Sequence, residues 1–177
     1  MIELLRMRRS IRKYTTKAVD KKLIELLIET LLRSPTSRDN RPWEFIFVDD
    51  PELLLKLSKA KEHGSSFLNK AALGIVVCAD STKSDVWVED YSIAAILAQM
   101  TAQSLGLGSC WIQMRKRKYS EKTTSETYIR KLLKIPRHIK VGSIISIGHP
   151  DEKKQPVPKD KLDFHKIKHN SYQTVYA

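Results

Sequence analysis

The chain has 177 residues, enough for one domain with a sizeable core, and its 41% hydrophobic content is that of a globular protein. It carries 32 Lys and Arg against 20 Asp and Glu, a formal net charge of +12. These values exclude a disordered chain, and the sequence has no run of eighteen apolar residues that could span a membrane.

The first residues, Met1 to Arg6, lack the apolar core and small-residue cleavage site of a signal peptide. Next comes a cluster of three arginines, Arg8-Arg9-Ser10-Ile11-Arg12. Guanidinium groups offer planar forked donors that match phosphate and polarised carbonyl oxygens two at a time. The cluster reads either as an oxyanion clamp or as a solvated basic arm. Asp20 followed by Leu23, Ile24, Leu27, Ile28, Leu31 and Leu32 predicts a capped amphipathic helix that ends near Arg33, because Pro35 disfavours helix at Ser34. Ser34 to Pro42 is a polar loop stiffened by prolines. It is either an ordinary connection or a set of short donors and acceptors for a polar heterocycle. Trp43 to Val48 is aromatic and β-branched and predicts a strand. Asp50-Pro51-Glu52 opens a second helix with Leu53, Leu54 and Leu57 on its apolar face.

Gly74 to Ala79 predicts a central strand. Residues 86–105 form the longest predicted helix, apolar nearly all round, which places it in the core of the fold or of a dimer. Gly106 caps it. Ser109 to Met114 predicts a strand, Thr123 with Glu126 a capping box for a helix that ends before Pro136, and Val141 to Ile147 a further strand. Interleaved elements predict helices on both faces of a sheet, with parallel pairing allowed in part of it. Pro150, Pro156 and Pro158 among many charges predict an extended surface tail with too few apolar residues for a second core.

Charge is segregated. Residues 1–22 hold eight basic residues against two acids, and residues 112–140 hold ten against two. Residues 23–111 hold eight against twelve. Such a pattern suits an enzyme for anionic cofactors as well as a nucleic-acid binder. Cys78 and Cys110 lie in apolar runs and read as buried free thiols of a reducing cytosol. No Cys/His set has metal-ligand spacing. Leu105-Gly106-Leu107-Gly108-Ser109 runs helix, glycines, strand. That order excludes the dinucleotide fingerprint, which needs strand, glycines, helix.

Taken in order, these pieces resemble the nitroreductase family of FMN-dependent oxidoreductases that use a reduced nicotinamide. The matching segments are Arg8 to Tyr14, Pro35 to Asn40 followed by Arg41-Pro42-Trp43, Ala94 to Trp111, Gly148-His149-Pro150 and the closing Asp163 to His169. The resemblance implies an α+β fold over residues 1–177: a three-layer α/β/α sandwich around a mixed, largely antiparallel sheet. It also implies a homodimer with a C-terminal extension exchanged with the partner subunit and FMN sites between chains. Carried over by position, Arg8, Arg9, Ser10 and Arg12 would hold the FMN phosphate, ribityl chain and pyrimidine edge. Pro35, Thr36, Ser37 and Asn40 would reach the flavin from the other subunit, and Trp111, Ile112 and Gln113 would line its ring. Lys159 and Lys161 are the tail candidates for the phosphate. His63 to Phe67 holds no Asn or Gln where family members often place an amide.

The implied activity is hydride transfer from NADH or NADPH through FMN to a small electron-poor acceptor, by a ping-pong mechanism in the cytoplasm. The flavin carries the chemistry, so Asp39, His63 and both cysteines receive no catalytic role. The Arg115-Lys116-Arg117-Lys118 run either steers an anionic substrate or is a solvated loop. Two other readings stand beside this one. A basic nucleic-acid-binding module has the charge but no motif. A flavin-binding member without reductase activity is the other.

Overall fold

In the structure, a computed structural model describing residues 1–176, four strands form the central sheet. Their order is β1 (Trp43–Val48), β2 (Leu73–Asp80), β6 (Ile139–Gly148) and β3 (Gly108–Gln113). Every neighbouring pair is antiparallel. The expected α+β arrangement is present, and the parallel component is an isolated bridge between Ser10 and Ser109. β2 is buried along its whole length, which explains its unbroken apolar run. β1 and β3 are the edges.

Two apolar clusters cover the two faces. On one, α2 (Lys21–Leu32) and α4 (Trp87–Ser104) pack Leu27, Leu31, Tyr91 and Ala94 against Leu73, Ile75 and Val77. On the other, α3 (Pro51–Ser58) and α5 (Ser125–Leu133) pack Leu54, Leu57 and Ile129 against Val76, Cys78 and Ile144. A short α1 (Ile2–Met7) lies against α4. The sandwich thus has three layers.

Most boundaries follow the sequence. The Asp50 carboxylate accepts from the Leu53 N–H at 2.7 Å, with Pro51 in the first turn. Gly106, at φ +75°, ends α4 while the Leu107 N–H reaches back to the Ala102 carbonyl at 2.8 Å. Two caps differ from expectation. Asp20 holds the N-cap position, but its side chain makes no capping bond. Its backbone carbonyl accepts from Leu23 and Ile24 instead. The cap of α5 is Thr124, whose hydroxyl accepts from the Thr127 N–H at 3.1 Å. Thr123 is drawn instead into a small hairpin of β4 (Lys118–Ser120) and β5 (Thr123–Thr124), where it faces Ser120.

α4 fits its site through small residues. Ala94, Ala95, Ala98 and Ala102 are fully buried and let the helix approach the sheet closely. Ile93 and Ile96, on its outer side, are 39% and 41% exposed. The tail beyond Gly148 runs over the surface as expected and leaves Val157, Leu162, Phe164 and Ile167 largely exposed.

Candidate functional site

Residues 8–15 form an extended arm along the β3 end of the sheet. The Ile11 N–H donates to the Ser109 carbonyl at 3.0 Å, and the Thr15 N–H to the His149 carbonyl at 3.0 Å. The buried Tyr14 hydroxyl donates to the Ile11 carbonyl at 2.6 Å and lies 2.7 Å from the Ser146 hydroxyl. Burial raises its pKa far above the ordinary phenol range, so it stays a neutral hydrogen-bonding anchor. Gly108 makes the approach possible, because a Cβ there would stand 2.7 Å from Ile11 Cγ2.

The arm is locked to the chain that follows β6. The Glu152 carboxylate accepts from the Arg12 N–H at 2.5 Å and the Lys13 N–H at 3.2 Å, and it meets Lys154 at 3.3 Å. These donors, the Arg12 N–H first, hold its pKa below the usual carboxylate range. Lys154 donates to the Ser10 carbonyl at 2.7 Å, and Arg9 donates to the Gln155 carbonyl. The Arg12 guanidinium lies 5.6 Å over the Phe67 ring. None of Arg8, Arg9 and Arg12 pairs its guanidinium with a carboxylate among the described residues. A cleft of about 450 Å³ opens here between Arg9, Gly106, Gly108 and Lys154.

β3 supplies the next part. Trp111 and Gln113 project to the α4 face. There Tyr91 stacks on Trp111 with centroids 6.1 Å apart, and Trp111 Nε1 donates to Gln113 Oε1 at 2.9 Å. Arg115 lies 5.4 Å over the Trp87 ring, which neighbours Tyr91 at 5.8 Å. The Ile112 side chain instead enters the core on the opposite face and is 1% exposed. Its side chain is closed to a ligand, and its N–H and C=O groups turn to β6. Ser109 turns its carbonyl outward to the arm, so by the alternation of an antiparallel ladder Trp111 and Gln113 present their N–H and C=O groups to the same outer edge. Beyond the arm, no other main-chain segment among the described residues pairs with that edge.

The 34–42 loop is rigid by construction. The Ser37 N–H donates to Asp90 Oδ1 at 2.8 Å, and Ser84 donates to Asp90 Oδ2 at 2.7 Å. Asp90 is buried in the first turn of α4, where the helix dipole favours a carboxylate. The Thr36 hydroxyl accepts from the Arg41 N–H at 3.0 Å, and the Asp80 N–H donates to the Pro42 carbonyl at 2.7 Å. Arg38, Asp39 and Arg41 all have left-handed φ, of 50°, 54° and 43°. Each such residue stores about 1 kcal/mol or more, which the anchoring contacts offset.

Within one chain the predicted residues form two groups. The arm joins Ser109 and the end of β6; the loop joins Asp80 at the end of β2 and the start of α4. These are diagonally opposite corners of the sheet, and about 21 Å of helix separates Asp90 from Ser104. Lys159 and Lys161 lie in an exposed turn with no hydrogen bond or ion pair to the arm; Lys154 takes that place. Sequence reasoning missed Lys154, Glu152 and Asp90. The one available signal was Asp90, which with Glu89 puts carboxylates in the first turn of a largely apolar helix.

Chemically, three guanidinium groups without carboxylates can hold a phosphate, and the free N–H groups of a strand edge can meet the polar edge of a heterocycle. FMN has both features, so the residues present fit it. Among the described residues no three His, Cys, Asp or Glu side chains gather to hold a metal, and no helix is long and apolar enough to cross a membrane.

Comparison with known proteins gives concordant findings. The model of the nitroreductase family matches residues 5–73 and 58–149. An FMN-dependent nitroreductase from Clostridium difficile R20291 is 46% identical and superposes with a TM-score of 0.96, over 97% of this chain and all of that one. The "Putative NADH dehydrogenase/NAD(P)H nitroreductase" from Parabacteroides distasonis ATCC 8503 is 33% identical with a TM-score of 0.87, over 97% of this chain and 98% of that one. A protein of the same name from Methanothermobacter thermautotrophicus is 35% identical over 166 residues, which cover 92% of this chain and 83% of the relative.

Proposed function

The chain belongs to the nitroreductase family, and from that premise we propose that it is an FMN-dependent NAD(P)H oxidoreductase working as a homodimer, with residues 1–177 as one domain. It moves hydride from NADH or NADPH to an electron-poor acceptor (a nitroaromatic, a quinone or a flavin) in ping-pong order. FMN, when bound, supplies the electron-carrying chemistry.

The chain's own residues bind, orient and exclude water. Arg8, Arg9 and Arg12 with Lys154 hold the phosphate and stabilise negative charge at the pyrimidine edge. The Trp111 and Gln113 N–H groups fix the ring along β3. Tyr91 and Trp111 close the α4 side with stacked rings. Reductant and acceptor use the same open ring face in turn.

The observation that carries this reading is the diagonal placement of arm and loop. A second copy, with its α4 antiparallel to the first, brings Thr36, Ser37 and Asn40 to the partner's arginines. Ile93 and Ile96 on α4 offer that contact an apolar centre. The exposed apolar side chains of the tail match an apolar groove of about 480 Å³ between Leu31, Leu32, Trp43, Phe45 and Phe47 at the open β1 edge. This supports exchange of the C-terminal extension. Lys159 and Lys161 would travel with it.

Purified protein should be yellow, or become so with FMN, and NADH or NADPH without oxygen should bleach the visible flavin bands. A colourless protein that FMN cannot reconstitute overturns the proposal. Bound flavin that neither nucleotide bleaches would mark a member without reductase activity.

A further inference from the structure

A second cationic concavity lies beside the arm. A cleft of about 480 Å³ opens between the 58–66 loop and the β4–β5 hairpin, lined by Lys59, Lys61, Glu62, His63, Ser66 and Tyr119 among others. The cleft is internally braced. The Glu62 N–H donates to the Lys118 carbonyl at 3.4 Å, and the Ser65 hydroxyl to the Ser58 carbonyl at 2.7 Å. Arg117 is held by its N–H to the Met114 carbonyl at 3.1 Å and by its carbonyl to the Ser125 N–H at 2.9 Å.

Cations outnumber acids here. Burial first, and the nearby Arg117 second, hold the Lys61 ammonium below its ordinary range. No described ion pair includes Lys59, Lys61, Arg117, Lys118 or Lys122. Glu62 and Glu121 are the acids of these two segments; both are exposed and neither forms a described ion pair. Lys59, Lys61, Arg117, Lys118 and Lys122 outnumber these two carboxylates, and the excess of cations favours an incoming anion. An aromatic platform stands beside them: Tyr119 stacks on Tyr128 with centroids 4.1 Å apart and 14° between planes, and it remains 38% exposed at the cleft. A ring so held offers a stacking face to a base.

The cleft also lies within reach of the site. Lys118 follows Gln113 by five positions, so they are at most about 18 Å apart. Phe67, next to Ser66, lies under the Arg12 guanidinium. Resting on the reading of the protein as an NAD(P)H oxidoreductase, we propose that this cleft binds the adenosine end of the dinucleotide. The 2′-phosphate is taken by Lys61 and Arg117 and the adenine by Tyr119, so NADPH is the preferred reductant.

Calorimetric titration of FMN-loaded and FMN-stripped protein with adenosine 2′,5′-bisphosphate, 5′-AMP and inorganic phosphate tests this. The bisphosphate should bind about tenfold or more tightly than AMP, through its additional charge-assisted contacts. Lys61→Gln and Arg117→Gln should each remove most of that ratio, and Lys61→Arg should restore it. Tyr119→Ala should weaken both nucleotides alike. Equal affinities in the wild type, a ratio that survives both Gln variants, or inorganic phosphate binding as tightly as the bisphosphate would each overturn the proposal. Visible spectra of the same samples report flavin separately. A chain that takes no FMN fails the oxidoreductase reading, while the titration still decides the nucleotide cleft.

Discussion

Glu152 shows how one side chain can hold a site together. Its carboxylate gathers two backbone N–H groups of the arm and the Lys154 ammonium, and these donors depress its pKa. A carboxylate depressed in the folded state contributes stability that is present above its unfolded pKa, near 4.5, and is lost as pH falls through the lower folded value. Glu152→Gln keeps an acceptor but loses the charge, and should cost about 1 kcal/mol at pH 7. Urea midpoints should show the gap between wild type and variant closing below about pH 4.5. A gap that stays constant with pH would show that the charge contributes nothing. No sequence pattern pointed to Glu152 or Lys154, because their partners are backbone atoms about 140 positions away. The arginines were legible because their chemistry is local and their spacing short. Lys159 and Lys161 drew attention for the same reason, yet tail lysines have no period that fixes their register.

At the scale of elements, α4 lies where it does because the sheet beneath it lacks a side chain. A Cβ on Gly142 would stand 2.4 Å from Tyr91 Cζ, so the ring lies directly on the β6 backbone. Gly142→Ala must push Tyr91 off the sheet, with an overpacking cost of about 1–3 kcal/mol. It should also disturb the Tyr91–Trp111 stack, visible in near-ultraviolet circular dichroism. An unchanged spectrum and an unchanged denaturation midpoint would show that the helix shifts freely. Gly106 is a contrast, since nothing lies within 4 Å of the Cβ it lacks. The sequence announced the main helices and strands because apolar period and caps are local properties. It missed the β4–β5 hairpin, whose pairing spans only Lys118 to Thr124 and carries no alternating apolar pattern. That hairpin then moved the α5 cap from Thr123 to Thr124. Ile112 misled for a related reason: a strand segment names both faces, and only register shows that Ile112 points to the core while Trp111 and Gln113 face α4.

At the scale of the whole molecule, symmetry decides how the site is assembled. Arm and loop stand at opposite corners of one sheet, joined by a helix too long for one ligand to bridge. If each flavin site takes its arm from one chain and its loop from the other, the two halves can be damaged on separate chains. Arg12→Ala removes the arm's contribution from both sites of its homodimer, and Asn40→Ala does the same for the loop. Each variant alone should therefore bind FMN weakly at both sites. When the two are unfolded, mixed in equal amounts and refolded, half of the dimers are mixed. Each mixed dimer has one site with both defects and one with none. About a quarter of all sites should then regain wild-type FMN affinity, measured by quenching of free-flavin fluorescence. A site built within one chain predicts no recovery, because every chain in the mixture carries a defect in its own site. Recovery to a quarter can arise only if the arginines of one chain and the loop of another face the same ligand.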